Sequence, residues 1–116
     1  MTTFWQHFEK FVKRLLEKQY PDYIITIQPT LTSGMRPDFV LESPEKTGVI
    51  DAKEKQNLTK SDLNNMLDYM YELAADFGKI YVSSYTKISK KIRDDASKSN
   101  IGIVRTDWTV RTYYSN

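Results

Sequence analysis

The sequence predicts a mixed α/β domain: an antiparallel strand meander, then parallel crossovers, with helices on both faces of one sheet. Three observations predict it. Three segments repeat apolar residues at three- and four-residue spacing. Short runs rich in β-branched and aromatic residues lie between them, and prolines and glycines fall at the joints. The 116 residues, 40% hydrophobic and 13% aromatic, suffice for one core, so the whole of 1–116 reads as a single domain.

Thr2 or Thr3 can cap a first helix whose Phe4, Phe8, Phe11, Val12, Leu15 and Leu16 make one apolar face, ended by Tyr20-Pro21-Asp22. Residues 23–28 read as a strand closed by Pro29, and Thr32-Ser33-Gly34 reads as a turn. Strands over 37–42 and 48–55 follow, joined by the short polar stretch Ser43 to Thr47 that suits an antiparallel hairpin. Leu63, Met66, Leu67, Met70, Leu73, Ala74 and Phe77 then form the longest helical stripe. Ser61 is its expected cap and Gly78 its expected stop. A buried strand over 79–83 precedes a helix over 87–99, marked by Ile88, Ile92 and Ala96. Ile101, Ile103 and Val104 give a fifth strand, and 108–114 carries strand-forming residues that suit a further edge. The expected order is α-β-β-β-α-β-α-β.

Composition narrows the chemistry. The absence of cysteine excludes a disulfide scaffold, a thiolate zinc site and a cysteine nucleophile. No stretch approaches the roughly 18 uninterrupted apolar residues of a membrane helix, and the start lacks a signal-peptide pattern, so a cytoplasmic protein without membrane partners is expected. The net charge of +2 conceals an uneven distribution. Nine Lys and Arg stand against twelve Asp and Glu up to position 78, and eight against three beyond it. Such asymmetry suits a polyanionic partner, although a lysine-rich solvated helix face produces the same run.

The informative residues lie on the hairpin. Alternation puts Val49, Asp51, Lys53 and Lys55 on one face of their strand, Asp51 and Lys53 roughly 6.6 Å apart, with Ile50 and Ala52 on the other. Asp38 shares a face with Val40, while Phe39 and Leu41 face away. A register that sets Asp38 opposite Asp51 would crowd two carboxylates into one small volume. A hard divalent cation, which prefers oxygen ligands, would relieve their repulsion. Asp38 and Asp51 are therefore candidate metal ligands, with Lys53 beside them to hold a water or a phosphate oxygen. The bland alternative is a structural ion pair that fixes register.

Arg36-Pro37-Asp38 followed by Asp51-Ala52-Lys53 resembles the signature of the PD-(D/E)xK nuclease superfamily, and Asp51-Ala52-Lys53 is the only acid-x-lysine triplet in the chain. The element order is similar as well. The resemblance implies a restriction endonuclease-like sheet, magnesium bound by the acids, manganese able to replace it, and a lysine that assists water attack on a phosphodiester. It further implies a first-helix acid at the site. Helical winding puts Glu9 at the edge of the apolar arc and Glu17 farther toward solvent, so Glu9 is the candidate. The Ala52 carbonyl is a further implied ligand. Thr32-Ser33-Gly34 is loosely similar to the serine-glycine loop of archaeal Holliday-junction resolvases.

The expectation is thus a magnesium-dependent endonuclease acting on DNA, working as a homodimer because one centre cuts one strand. Lys55, Lys60, Lys87, Lys90 and Lys91 are the expected phosphate contacts, with Gln56 as an auxiliary. The alternatives are a catalytically inactive nucleic-acid-binding or assembly subunit with the same fold, and a module whose basic helix docks an acidic protein. Tyr69, Tyr71, Tyr81, Tyr85, Tyr113 and Tyr114 read as packing residues, and His7 receives no role.

Overall fold

The computed structural model describes residues 4–109. Within them the chain runs α1 (Phe4–Gln19), β1 (Ile24–Ile27), β2 (Phe39–Glu42), β3 (Thr47–Lys53), α2 (Lys60–Leu73), β4 (Phe77–Val82), α3 (Lys90–Lys98) and β5 (Ile101–Arg105). The five strands form one sheet in sequence order. β1, β2 and β3 pair antiparallel, whereas β3–β4 and β4–β5 pair parallel. The switch from meander to crossovers is the one the sequence predicts, and it has a physical cause. The short 43–46 connection can only return a hairpin when it joins neighbouring strands, while α2 and α3 supply the long connections that parallel strands need.

Alternation along the strands divides the core. Phe8, Val12 and Leu16 of α1 pack with Phe39, Leu41, Ile50, Ala52, Tyr81 and Trp108 on one face. Leu63 and Met66 of α2 and Ile92 and Ala96 of α3 pack with Val49, Ile80, Val82 and Ile101 on the other. Helices therefore cover both faces, as expected. Each fully buried Leu, Ile or Phe contributes about 1.5–3 kcal/mol, so the central strand β3, buried from Gly48 to Ala52, is the most securely held.

Several boundaries differ from expectation, each for an identifiable reason. The cap of α2 is Thr59, not Ser61: its hydroxyl accepts from Asp62 N while the Asp62 carboxylate accepts from Thr59 N, a capping box. The same helix stops at Leu73 because Ala74 turns left-handed at φ 49°, so Phe77 and Gly78 belong to β4 rather than to the helix. Phe77 is drawn there by a long-range fit, its ring lying over Gly48, where an added Cβ would come within 2.2 Å of it. The third helix begins at Lys90 with Ser89 as cap. Lys87 instead lies in an isolated parallel bridge with Asn57. Thr106 to Thr109 form no strand, and Trp108 enters the core beside Phe8 and Phe11. The remainder of the expected tail strand, with Tyr113 and Tyr114, lies outside the described residues, as do Thr2 and Thr3.

Candidate active site

β2 and β3 pair as Phe39 with Ile50 and Val40 with Val49, and one further step of that register sets Asp38 opposite Asp51. The two aspartates are bound reciprocally. Asp38 N–H donates to Asp51 Oδ1 at 3.1 Å, and Ala52 N–H donates to Asp38 Oδ2 at 2.7 Å. Their side chains thus take over where the ladder of the hairpin ends. Ala52 lies at the junction, its own side chain turned into the α1 core.

Both carboxyls are buried, Asp51 2% exposed and Asp38 8%. Burial, the Asp38 hydrogen bond to Glu9 and the Glu9 charge push Asp38 up to about 7, against the opposing pull of Ala52 N–H and Lys53. Burial and the neighbouring Asp38 charge push Asp51 up to about 6, with Lys53 again pulling downward. Asp51 Oδ2 is buried and finds no hydrogen-bond donor among the described residues. Lys53 Nζ is 3.9 Å from that oxygen, a charge contact too long for a hydrogen bond. A buried carboxylate oxygen left in this state calls for a cationic partner.

Glu9 touches the pair only from the Asp38 side. Its two oxygens accept from Gln28 Nε2 at 3.3 Å each, and the Asp38 carboxyl hydrogen-bonds to it. Among the described residues no three acidic or histidine side chains form a complete cage for an ion. Two aspartate carboxylates would therefore need backbone and water oxygens to complete a magnesium shell, which is the ordinary habit of that ion. The donor set is all hard oxygen, and the orphaned Asp51 Oδ2 fits it.

The expected phosphate contacts divide into two groups. Lys55 Nζ is taken up by Asp62 at 2.9 Å, whereas Lys60 Nζ reaches Asp95 at 3.4 Å with its side chain still 56% exposed. The Lys55–Asp62 contact joins the capping box, and it holds Asp62 below the usual carboxylate range despite the opposing effect of burial. Lys87, Lys90 and Lys91 are exposed, the last two on the first turn of α3 beside β5. Gln56 is exposed as well, its carbonyl accepting from Lys87 N.

Tyr69 of α2 is a neighbour of the site that sequence reasoning assigns to packing alone. Burial first, then the charges of Asp51 and Asp38, push its phenol up to about 12, so it remains protonated in the field of both carboxylates. Its only signal in the sequence is its place at the margin of the Met66–Met70 stripe. Gln28 and Trp108 carry no signal at all. Trp108 Nε1 donates to Glu54, the residue after Lys53, and so steadies the exit of β3.

The five-stranded mixed sheet with helices in this order is the α/β architecture expected from the sequence. No protein-family profile matches the chain, and no curated protein matches it. Solved structures do. A protein of unknown function designated AF1548 superposes with a TM-score of 0.66 at 15% identity, over 87% of this chain and 58% of that one. A chain of a Thermococcus gammatolerans assembly of McrB AAA+ hexamers with bound McrC gives 0.65 at 20%, over 90% and 28%. Pyrococcus furiosus SfsA, solved in complex with Ca2+, gives 0.56 at 13%, over 84% and 53%. The chain spans less than two thirds of each of these neighbours, and at such identities the likeness is one of fold. Among the described residues no helix is long and apolar enough to cross a membrane.

Proposed function

We propose that this chain is a metal-dependent nuclease that hydrolyses DNA phosphodiester bonds. One observation carries the reading: two buried carboxylates face each other across the hairpin, both pushed upward, with an unpartnered oxygen and a lysine at their side. Such crowding is costly in a stable interior unless an ion resolves it. Asp38 and Asp51, aided by the Ala52 carbonyl and by water oxygens, would hold magnesium or manganese, with Glu9 hydrogen-bonded to Asp38 behind them. The bound ion would acidify a water and stabilise charge on the phosphodiester.

The protein's own contributions follow from its chemistry. Lys53, with a side chain 26% exposed, is free enough to hold a water or phosphate oxygen and charged enough to offset negative charge in the transition state. Lys87, Lys90 and Lys91 supply phosphate contacts without reading sequence. Lys55 and Lys60 contribute less, since Asp62 and Asp95 engage them. A homodimer would bring two centres to a duplex or a four-way junction, and a junction is the branched substrate the resolvase-like loop favours.

The test is incubation of the purified chain with magnesium or manganese and labelled linear, branched and single-stranded DNA, with a chelator control. Cleavage should require the metal. Asp38→Ala and Lys53→Ala should each abolish it while leaving DNA binding in place. Binding without cleavage in every metal would instead identify an inactive nucleic-acid-binding subunit.

A further inference from the structure

Glu9 and Asp38 belong to opposite sides of the sheet. Glu9 rides on α1, which packs on the face of Ile50 and Ala52, whereas Asp38 lies on the face of Val40 and Val49. The Asp38 carboxyl nevertheless hydrogen-bonds to Glu9 directly, and Gln28 binds both residues. Its side-chain Nε2 donates to both Glu9 oxygens at 3.3 Å, and its backbone N–H donates to the Asp38 carbonyl at 2.8 Å. One residue grips the helix acid by its carboxylate and the strand acid by its backbone.

The backbone of Gln28 supports a reason beyond packing. Its φ is +46°, in the left-handed region that L side chains avoid and that glycine or asparagine adopts most readily. Pro29 follows, and a proline drives the residue before it toward extended conformations. Gln28 is thus held against two local preferences. A strained residue persists where its surroundings over-determine it, and such residues gather at functional sites.

We propose that Gln28 is a positioning residue of the candidate site, holding Glu9 in its hydrogen bond to Asp38 and so fixing the orientation of a carboxylate that would bind the cation. This rests on the metal-dependent reading above. Gln28 touches neither the ion nor DNA; it acts through Glu9, in the way that outer partners orient the carboxylates of metal sites.

The test is manganese binding by the full chain without DNA, read from the spin resonance of the free ion. Gln28→Gly deletes the amide and relieves the backbone, so its unfolding midpoint should be no lower than that of the wild type, while its manganese affinity should fall roughly tenfold. Glu9→Gln should fall by a similar factor. The double variant should fall no further than Glu9→Gln alone, since both changes remove one interaction. A Gln28→Gly protein that binds manganese like the wild type, or losses that multiply in the double variant, would overturn the proposal. Should Gln28→Gly unfold, Gln28→Leu takes the same measurement. A wild-type chain that fails to bind manganese defeats the nuclease reading itself and this inference with it, whereas normal wild-type binding with an indifferent Gln28 defeats this inference alone.

Discussion

Replacing Asp51 by asparagine should make the metal-free protein more stable above neutral pH, although it removes a central residue of the site. The folded carboxyl titrates at about 6 against 3.8 in the open chain, so the folded state holds the extra proton between those values and loses stability as pH rises through them. At about 1.4 kcal/mol for each pH unit, the full penalty above pH 6 is about 3 kcal/mol. Asparagine removes that charge. Its carbonyl can still accept from Asp38 N–H, but its amide takes the place of Oδ2, where an unpaired donor costs about 1 kcal/mol. The net gain is then about 2 kcal/mol at pH 8, shrinking below about 1 kcal/mol at pH 5. Asp62, held low, affects stability only at more acid pH and does not interfere. Urea unfolding in chelator at pH 5 and pH 8 reads both numbers. An Asp51→Asn variant less stable than the wild type at pH 8, or a gain independent of pH, would refute the view that the pair is repulsive without an ion.

Magnesium or manganese should stabilise the wild type in urea unfolding, by up to about 2.7 kcal/mol at a hundredfold excess over the dissociation constant, and more at pH 8 than at pH 6. The sign follows from Asp38 and Asp51, which must shed protons at about 7 and about 6 to bind the ion. Asp62→Ala breaks the capping box and frees Lys55, and should cost about 1–2 kcal/mol in urea unfolding. Gly48→Ala drives a methyl into the Phe77 ring and should cost about 1–3 kcal/mol by the same measure, part of it recovered by Phe77→Leu in the same chain. Lys90→Ala with Lys91→Ala should weaken DNA binding without regard to sequence. The slope of log affinity against log salt should become shallower by about 0.9 for each phosphate that the variant no longer neutralises.

The parts of the fold that were legible are those decided by near neighbours. Residues 43–47 are too short and polar to do anything but return a hairpin, so the pairing of β2 with β3 was legible, while the register that brings Asp38 to Asp51 is one of those such a hairpin permits and is supplied by the structure. The apolar stripes of α1 and α2 and the alternation of β3 were equally local. The end of α2 was not. Leu73, Ala74 and Phe77 keep helical spacing, yet Asp76 N–H binds Thr47 O, and the Asp76 carboxylate accepts from Thr47 N. These two contacts and the fit of Phe77 over Gly48 recruit the segment into the sheet. The Thr59-x-x-Asp62 capping box was present in the sequence, two residues ahead of Ser61, the expected cap.

The same division explains the candidate site. Its acids and amine sit on one hairpin, where alternation alone predicts their common face. Everything that disciplines them arrives from elsewhere in the chain: Glu9 and Gln28 from before the hairpin, Tyr69 from α2, Trp108 from beyond β5. Charge patterning could not show that Lys55 pairs with Asp62 and Lys60 with Asp95, because the first contact depends on where α2 starts and the second on how α2 and α3 lie together. A lysine run read from sequence therefore overstates the cationic surface open to phosphate. Lys87, Lys90 and Lys91, exposed and outside these ion pairs, cluster before and at the start of α3, which packs against β5, two strands away from β3. A polyanion contacting both that cluster and Lys53 must cross the ends of the parallel strands, the edge where ligands of open α/β sheets ordinarily bind.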